Sequence, residues 1–406
     1  MENSENIKKP ASVLPLPRVA ITCGDPNGIG YEVILKTLAD QHPLEVCCPV
    51  LYGSSKVANI YKEQLGEACA AMKFNIIASA KDAKAGVVNL VECYDDSFSL
   101  EPGKSTPQGG KASLSSLQHA AEDIQKGLID ALVTAPINKA NIQSDSFHFS
   151  GHTEYLTALF GNGRYSVMMM LSDTLRVALM SNHLPISKVP LAVTEDRMLK
   201  KLEMLNGTLR QDFLIRSPRI AVLALNPHAG DDGLLGTEEK EVIAPAIAKA
   251  NEQGILAFGP YPADGFFGAC GYLHFDAVFA MYHDQGLIPF KTIDMSGVGF
   301  TAGLNIVRTS PDHGTAYDIV GKNQADHTSF SHALYAALDI LKARRTSEEI
   351  SRNPLKITEP ERRTPPRPSW AVPPSNEAKE AVAKADSEPE EAPTETGAAE
   401  EQSGEE

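Results

Sequence analysis

Residues 176–183 read RVALMSNH, and the same arrangement recurs as RIAVLALNPH at 219–228 and DAVFAMYHDQG at 276–286. In each, an apolar run is followed two or three residues later by a histidine. Runs that are apolar on both faces predict buried strands. RVAIT at 18–22, ALVT at 131–134 and SVMMML at 166–171 read the same way. Helical patterns stand between them: YEVILKTLAD from Tyr31, KASLSSLQHAAEDIQKGL from Lys111, and EEKEVIAPAIAKANEQG, which has Thr237 at its N-cap and ends at Gly254. Strands alternating with helices predict an α/β fold with a largely parallel sheet. In such sheets ligands collect at the carboxyl ends of the strands.

His183, His228 and His283 each stand just past such an end. Three imidazoles delivered from neighbouring strand termini predict a divalent metal site with open positions for substrate, although each alone also reads as a capping or core histidine. Asp264 in GPYPADGFF and Asp284 beside His283 are candidates to orient an imidazole or join the shell. Imidazole ligands suit zinc, cobalt, nickel or manganese, and a carboxylate or substrate oxygen also admits magnesium.

Lys291 in HDQGLIPFK and Arg308 in GLNIVRTSPDHG combine a point charge with a forked donor, a suitable pair for a phosphate monoester. Surface cations paired with carboxylates explain them as well. Lys139, just past ALVT, and His152 in FSGHTEYL are candidate proton acceptors for a metal-activated hydroxyl. His152 equally suits a donor that orients substrate, and Thr153 and Glu154 suit a first helical turn. The loop CGDPNGIG, residues 23–30, offers Gly28 and Gly30 for close backbone approach to an anion. Its spacing is not G-x-G-x-x-G, and a plain strand-to-helix turn accounts for the glycines too.

The 406 residues, 42% of them hydrophobic, suffice for a core shared by two domains. Six scattered cysteines with no C-x-x-C pair read as reduced thiols. The net charge of -15 argues against nucleic-acid partners. Eleven acidic and two basic residues fall between Glu377 and Glu406, so nine of those fifteen charges are local. With the proline-rich stretch before it, which holds Trp370, the segment 352–406 reads as a disordered, solubilising tail, and 1–17 as a flexible N-terminus. No run approaches the roughly 20 apolar residues of a membrane span, and no signal peptide is evident, which predicts a cytoplasmic protein.

Taken together, ITCGDPNGIGYE, TAPINKANI, FSGHTEYL, MSNHLP, LNPHAGDDGLLGTEE, GPYPADGFF, MYHDQGLIPFK and GVGFTAGLNIVRTSPDHGTAYDIVGK resemble the 4-hydroxythreonine-4-phosphate dehydrogenase family of vitamin B6 synthesis, from about Arg18 to Leu341. The resemblance implies two α/β/α domains like those of isocitrate and isopropylmalate dehydrogenases: 18–150 with 300–345, and 151–299, the latter carrying metal and dimer contacts. It implies NAD- or NADP-linked oxidation of 4-phosphooxy-L-threonine, then loss of carbon dioxide to leave 3-amino-2-oxopropyl phosphate. The family's metal ligands fall on His183, His228 and His283, and its substrate contacts on His152, Thr153, Lys291 and Arg308. A homodimer is implied, with the histidine of the HDQG loop reaching across to its partner. The likeness of GDPNGIG and HGTAYDIVGK to cofactor-side loops makes His313, Gly314, Ala316 and Asp318 candidates near the adenosine.

The chain departs from the pattern at Gly299, where the family carries a substrate-touching asparagine, at Tyr31 and at Asn305. The first departure keeps open a sister activity on D-threonate or D-erythronate 4-phosphate. Readings of another class are a phosphate acetyltransferase-like protein, a metal-dependent hydrolase or a binding protein that kept the fold.

Overall fold

The computed structural model describes residues 15–354 apart from Asp96 and Arg164. The N-terminus before residue 15 and the tail beyond Pro354, Trp370 included, lie outside the described residues.

RVAIT forms β1 (Arg18–Thr22), in which only Arg18 is not fully buried. Such a strand needs neighbours on both edges and layers on both faces. β2 (Cys48–Gly53) and β5 (Ala131–Thr134) pair with it in parallel. β4 (Val88–Glu92) and then β3 (Phe74–Ile77) extend the β2 side. On the other side follow β12 (Val307–Pro311), β11 (Val298–Ala302), β6 (Val167–Leu171), β7 (Arg176–Leu179), β10 (Ala277–Ala280), β8 (Arg219–Leu223) and β9 (Leu256–Tyr261).

The result is one twelve-stranded sheet in the order β3-β4-β2-β1-β5-β12-β11-β6-β7-β10-β8-β9. It is parallel except where β11 runs against β12 and β6, and β6 against β7. The α/β expectation is met. Strands from 18–150 and 300–345 stand at one end and those from 151–299 at the other, with β11 at the seam.

Helices cover the sheet. Gly30–Ala39 buries Val33, Ile34 and Leu38, as its pattern predicts. The helix expected from Lys111 starts earlier, at Pro107, because Thr106 caps it by accepting from Gly109 N at 3.0 Å. A Cβ on Gly110 would meet the carbonyl of Asn141, and one on Gly109 would lie 2.8 Å from Asp25 Oδ1. The segment after Thr237 begins with a π turn, Glu239–Ile243, before the α-helix Ala244–Glu252; Gly254 follows at φ +80°. Thr328–Ser351 lies across β12 and β11, where Thr309 donates to the Ala333 carbonyl at 2.7 Å.

Candidate active site

β7, β10 and β8 are adjacent and parallel, so His183, His228 and His283 do emerge from neighbouring strand ends. Two of them meet: the rings of His183 and His283 lie 5.9 Å apart. Each has a carboxylate near Nδ1, Asp284 at 2.7 Å from that of His283 and Glu154 at 3.9 Å from that of His183. The contact with His183 holds the Glu154 carboxyl below its usual range.

His228 does not join them within one chain. It sits on the turn Pro227–Gly233, where His228, Ala229, Gly230, Asp231 and Asp232 all take left-handed torsions, and its side chain is exposed. Among the described residues no three His, Cys, Asp or Glu side chains are gathered closely enough to hold an ion. Asp264, exposed on the helix Ala263–Gly268, does not line the cleft beside His183.

Beside His183 opens a cleft of 320 Å³ whose lining includes Lys139, His152, Thr153, Lys291, Arg308, His313 and Gly314. Five stretches of sequence, at 139, 152–153, 183, 291 and 308–314, thereby meet around one cleft. Lys139 Nζ stands 3.3 Å from His183 Nε2.

Arg308 projects from β12 beside β5 and β11. Its Nε and Nη2 donate to Thr134 Oγ1 at 3.2 and 2.6 Å, and Nη1 donates to Thr301 Oγ1 at 3.1 Å. It is 6% exposed, and burial pushes its pKa down to about 10, so it stays charged at neutral pH. Among the described residues it has no carboxylate partner. An unpaired buried cation is unfavourable by several kcal/mol, on the order of the benefit of an anion brought to it. The surface-cation alternative therefore fails for Arg308. Lys291, 40% exposed, pairs with Asp312 Oδ1 at 3.0 Å, and both residues line the cleft.

His152 opens the helix His152–Phe160. Burial first, then Arg308 and Lys139, hold its pKa well below the ordinary 6.5. It is neutral at pH 7, and its Nε2 has no hydrogen-bond partner among the described residues. The same is true of Glu154 Oε2, Asp312 Oδ2 and His313 Nε2. Burial raises the Asp312 pKa and lowers that of His313. Several orphaned polar atoms around one cleft mark a place where a polar ligand completes the bonding.

The two loops expected on the cofactor side meet. Ile29 N donates to Thr315 O at 3.0 Å, and Tyr317 donates to Asp25 Oδ2 at 2.7 Å. Asp25, fully buried, also accepts from Asn27 N and Asn141 Nδ2. A Cβ on Gly28 would lie 2.9 Å from Thr315 O, and one on Gly30 2.3 Å from Cys23 O. Backbone packing alone requires glycine at both positions. Ala316 takes φ +42° as it leads into the turn Tyr317–Ile319, which contains Asp318. Sequence analysis missed Asp25, Thr134, Asp312 and Ser310. Alternation along β12 places 308 and 310 on one face, a signal available once that strand is recognised.

A family model described as "Pyridoxal phosphate biosynthetic protein PdxA" matches residues 45–337. The chain belongs to the PdxA family. That match contains every candidate site residue except Gly28 and Gly30. Among its relatives, a 4-hydroxythreonine-4-phosphate dehydrogenase of Bacteroides thetaiotaomicron is 49% identical over 84% of this chain and 93% of its own length. One from Sulfurihydrogenibium sp. is 39% identical over 81% and 99%. The crystal structure of the Klebsiella pneumoniae enzyme of that name superposes with a TM-score of 0.70 at 31% identity, covering 80% of this chain and 99% of the other. The PdxA likeness thus spans nearly whole relatives, and the resemblance seen in the motifs is borne out.

Proposed function

We propose that this PdxA-family chain is an oxidoreductase that uses NAD, or NADP, to oxidise 4-phosphooxy-L-threonine at its 3-hydroxyl. A bound nicotinamide would accept the hydride, and a side-chain base the hydroxyl proton. The resulting 3-oxo acid then loses carbon dioxide, leaving 3-amino-2-oxopropyl phosphate. The observation that carries this reading is Arg308, a buried cation that lines the cleft with no carboxylate at ion-pair distance among the described residues and is suited to an anionic substrate group. Lys291 and Thr153 stand at the same cleft.

The depressed pKa of His152 makes it a poor proton acceptor and a good neutral hydrogen-bond partner for substrate. Of the two bases proposed from the sequence, Lys139 is left for the proton transfer. His183 and His283, each with a carboxylate near Nδ1, fit the donor set of a divalent ion; His228, which does not join them within one chain, would complete the set across the dimer. When bound, such an ion would lower the hydroxyl pKa, favouring the negative oxygen from which hydride leaves, and would stabilise the charge that decarboxylation returns to that oxygen. The contact between the loops 23–30 and 313–318 supports a cofactor edge around His313, Gly314, Ala316 and Asp318.

The active form is a homodimer built on the 151–299 half, taken as the second domain. Ile186, Leu191, Leu234, Leu273 and Ile288 there each leave more than 60% of their surface exposed. Among the described residues no helix is long and apolar enough to cross a membrane, in keeping with a cytoplasmic enzyme. Gly299, which offers the substrate no side chain, favours retaining D-threonate 4-phosphate as the second substrate reading. The test is the initial rate of NADH formation with each substrate, with and without divalent ion. The amino acid should be preferred at least about tenfold; the reverse order transfers the assignment to the sister activity.

A further inference from the structure

Gly299 on β11 and Ser310 on β12 are direct partners across an antiparallel pair, so their side-chain positions share one face of the sheet. That face is a wall of the cleft. Arg308 stands two residues before Ser310, and Thr301, which accepts from the guanidinium, stands two residues after Gly299. Thr309, between Arg308 and Ser310, points the other way to Ala333.

A Cβ built on Gly299 would lie 2.7 Å from Ser310 Oγ. The serine hydroxyl therefore occupies the space that a side chain at 299 would need. Backbone torsion does not demand glycine there, because Gly299 is not among the residues with positive φ; a Cβ would instead turn the Ser310 hydroxyl out of its present position. Ser310 lines the cleft, and among the described residues its Oγ has no hydrogen-bond partner. The two nearby threonine hydroxyls, of Thr134 and Thr301, are by contrast both taken by Arg308. A free hydroxyl beside a buried guanidinium suits one task well: the arginine supplies charge, and the serine adds a donor that rotates to whichever anion oxygen the fork leaves unbound.

We infer that Ser310 is a specificity-determining residue whose hydroxyl donates to the anionic group held by Arg308, and that Gly299 keeps its space open. This rests on the reading of the cleft as the substrate site. Ser310→Ala should raise KM for 4-phosphooxy-L-threonine about tenfold, with kcat within about twofold and an unchanged melting temperature. Gly299→Ala, by displacing the hydroxyl, should do the same, and the double variant should be no worse than either single one. Ser310→Thr, which retains a hydroxyl, should recover most of the loss.

Calorimetric titration of inorganic phosphate into the cofactor-free protein should show the same weakening in Ser310→Ala. Additive effects in the double variant, unchanged KM and phosphate affinity in Ser310→Ala, or a joint fall in kcat and melting temperature would overturn the assignment. If the unaltered protein does not oxidise the substrate, the functional reading falls by itself, and the phosphate titration decides Ser310. Weakened binding then supports it, while unchanged binding, or no phosphate binding by the unaltered protein, refutes it.

Discussion

The two sides of the cleft are built on different principles. Arg308, Thr134, Thr301 and Ser310 stand within or at the ends of paired strands, so the hydrogen-bond register of β5, β12 and β11 sets their positions. His183, His228 and His283 lie beyond strand ends, where loop torsions decide where each ring goes. The first group holds a guanidinium that is 6% exposed; on the second, the His183 and His283 side chains are 39% and 38% exposed. A sheet face is formed before any ligand arrives, whereas a rim of loops is completed by what binds it or packs on it.

The sharpest way to break this contrast is Arg308→Met. We expect kcat/KM to fall about 10³-fold. The ligand-free protein should melt about 2 °C or more higher, because a desolvated charge is replaced by apolar volume. Calorimetry on the same preparation checks this. A melting temperature that falls along with activity would make Arg308 a residue that holds the fold together.

On the rim, His228→Ala should reduce turnover about 10²-fold and lower the divalent metal retained after gel filtration, with little change in melting temperature. Unchanged turnover and metal content would show that the left-handed turn does not deliver its imidazole.

The smallest effect concerns pH. His152 takes up a proton near 6.5 when unfolded and only well below that when folded, so the stability of the native state declines as pH falls through 6.5. The slope from one such group is at most about 1.4 kcal/mol per pH unit. His313, also depressed, acts in the same direction, while Asp312, raised above 3.8, acts oppositely from a lower window. Urea unfolding of the unaltered protein and of His152→Gln between about pH 7.5 and 5.5 isolates His152, because the other two groups are common to both. Equal slopes would contradict its burial as a neutral ring.

What could be foreseen from the residues follows the same division. β1, β5, β6, β7, β8 and β10 were legible because their runs are apolar on both faces. β12 was not: VRTSP puts an arginine mid-strand and a proline at its end, and only its place between β5 and β11 makes that tolerable. CPVLYG and VGFTA are disguised by proline and glycine in the same way. Position after a strand located the histidines, yet it could not say that His228 would turn outward, since that depends on five consecutive left-handed torsions. The charge of Arg308 was visible in the sequence. That no carboxylate reaches ion-pair distance of it, Glu154 included, is a property of distant neighbours.

The Asp25 carboxylate carries one more consequence, for assembly. Tyr317 reaches it from 292 positions along the chain, and β12 slots between β5 and β11 after nearly all other strands have been made. A ribosome that has released only the first 300 residues leaves β5 without its β12 neighbour and the buried acid without its phenol. Such an intermediate exposes strand edges ready to pair with a stranger, and this wall is completed only once β12 and Tyr317 have emerged.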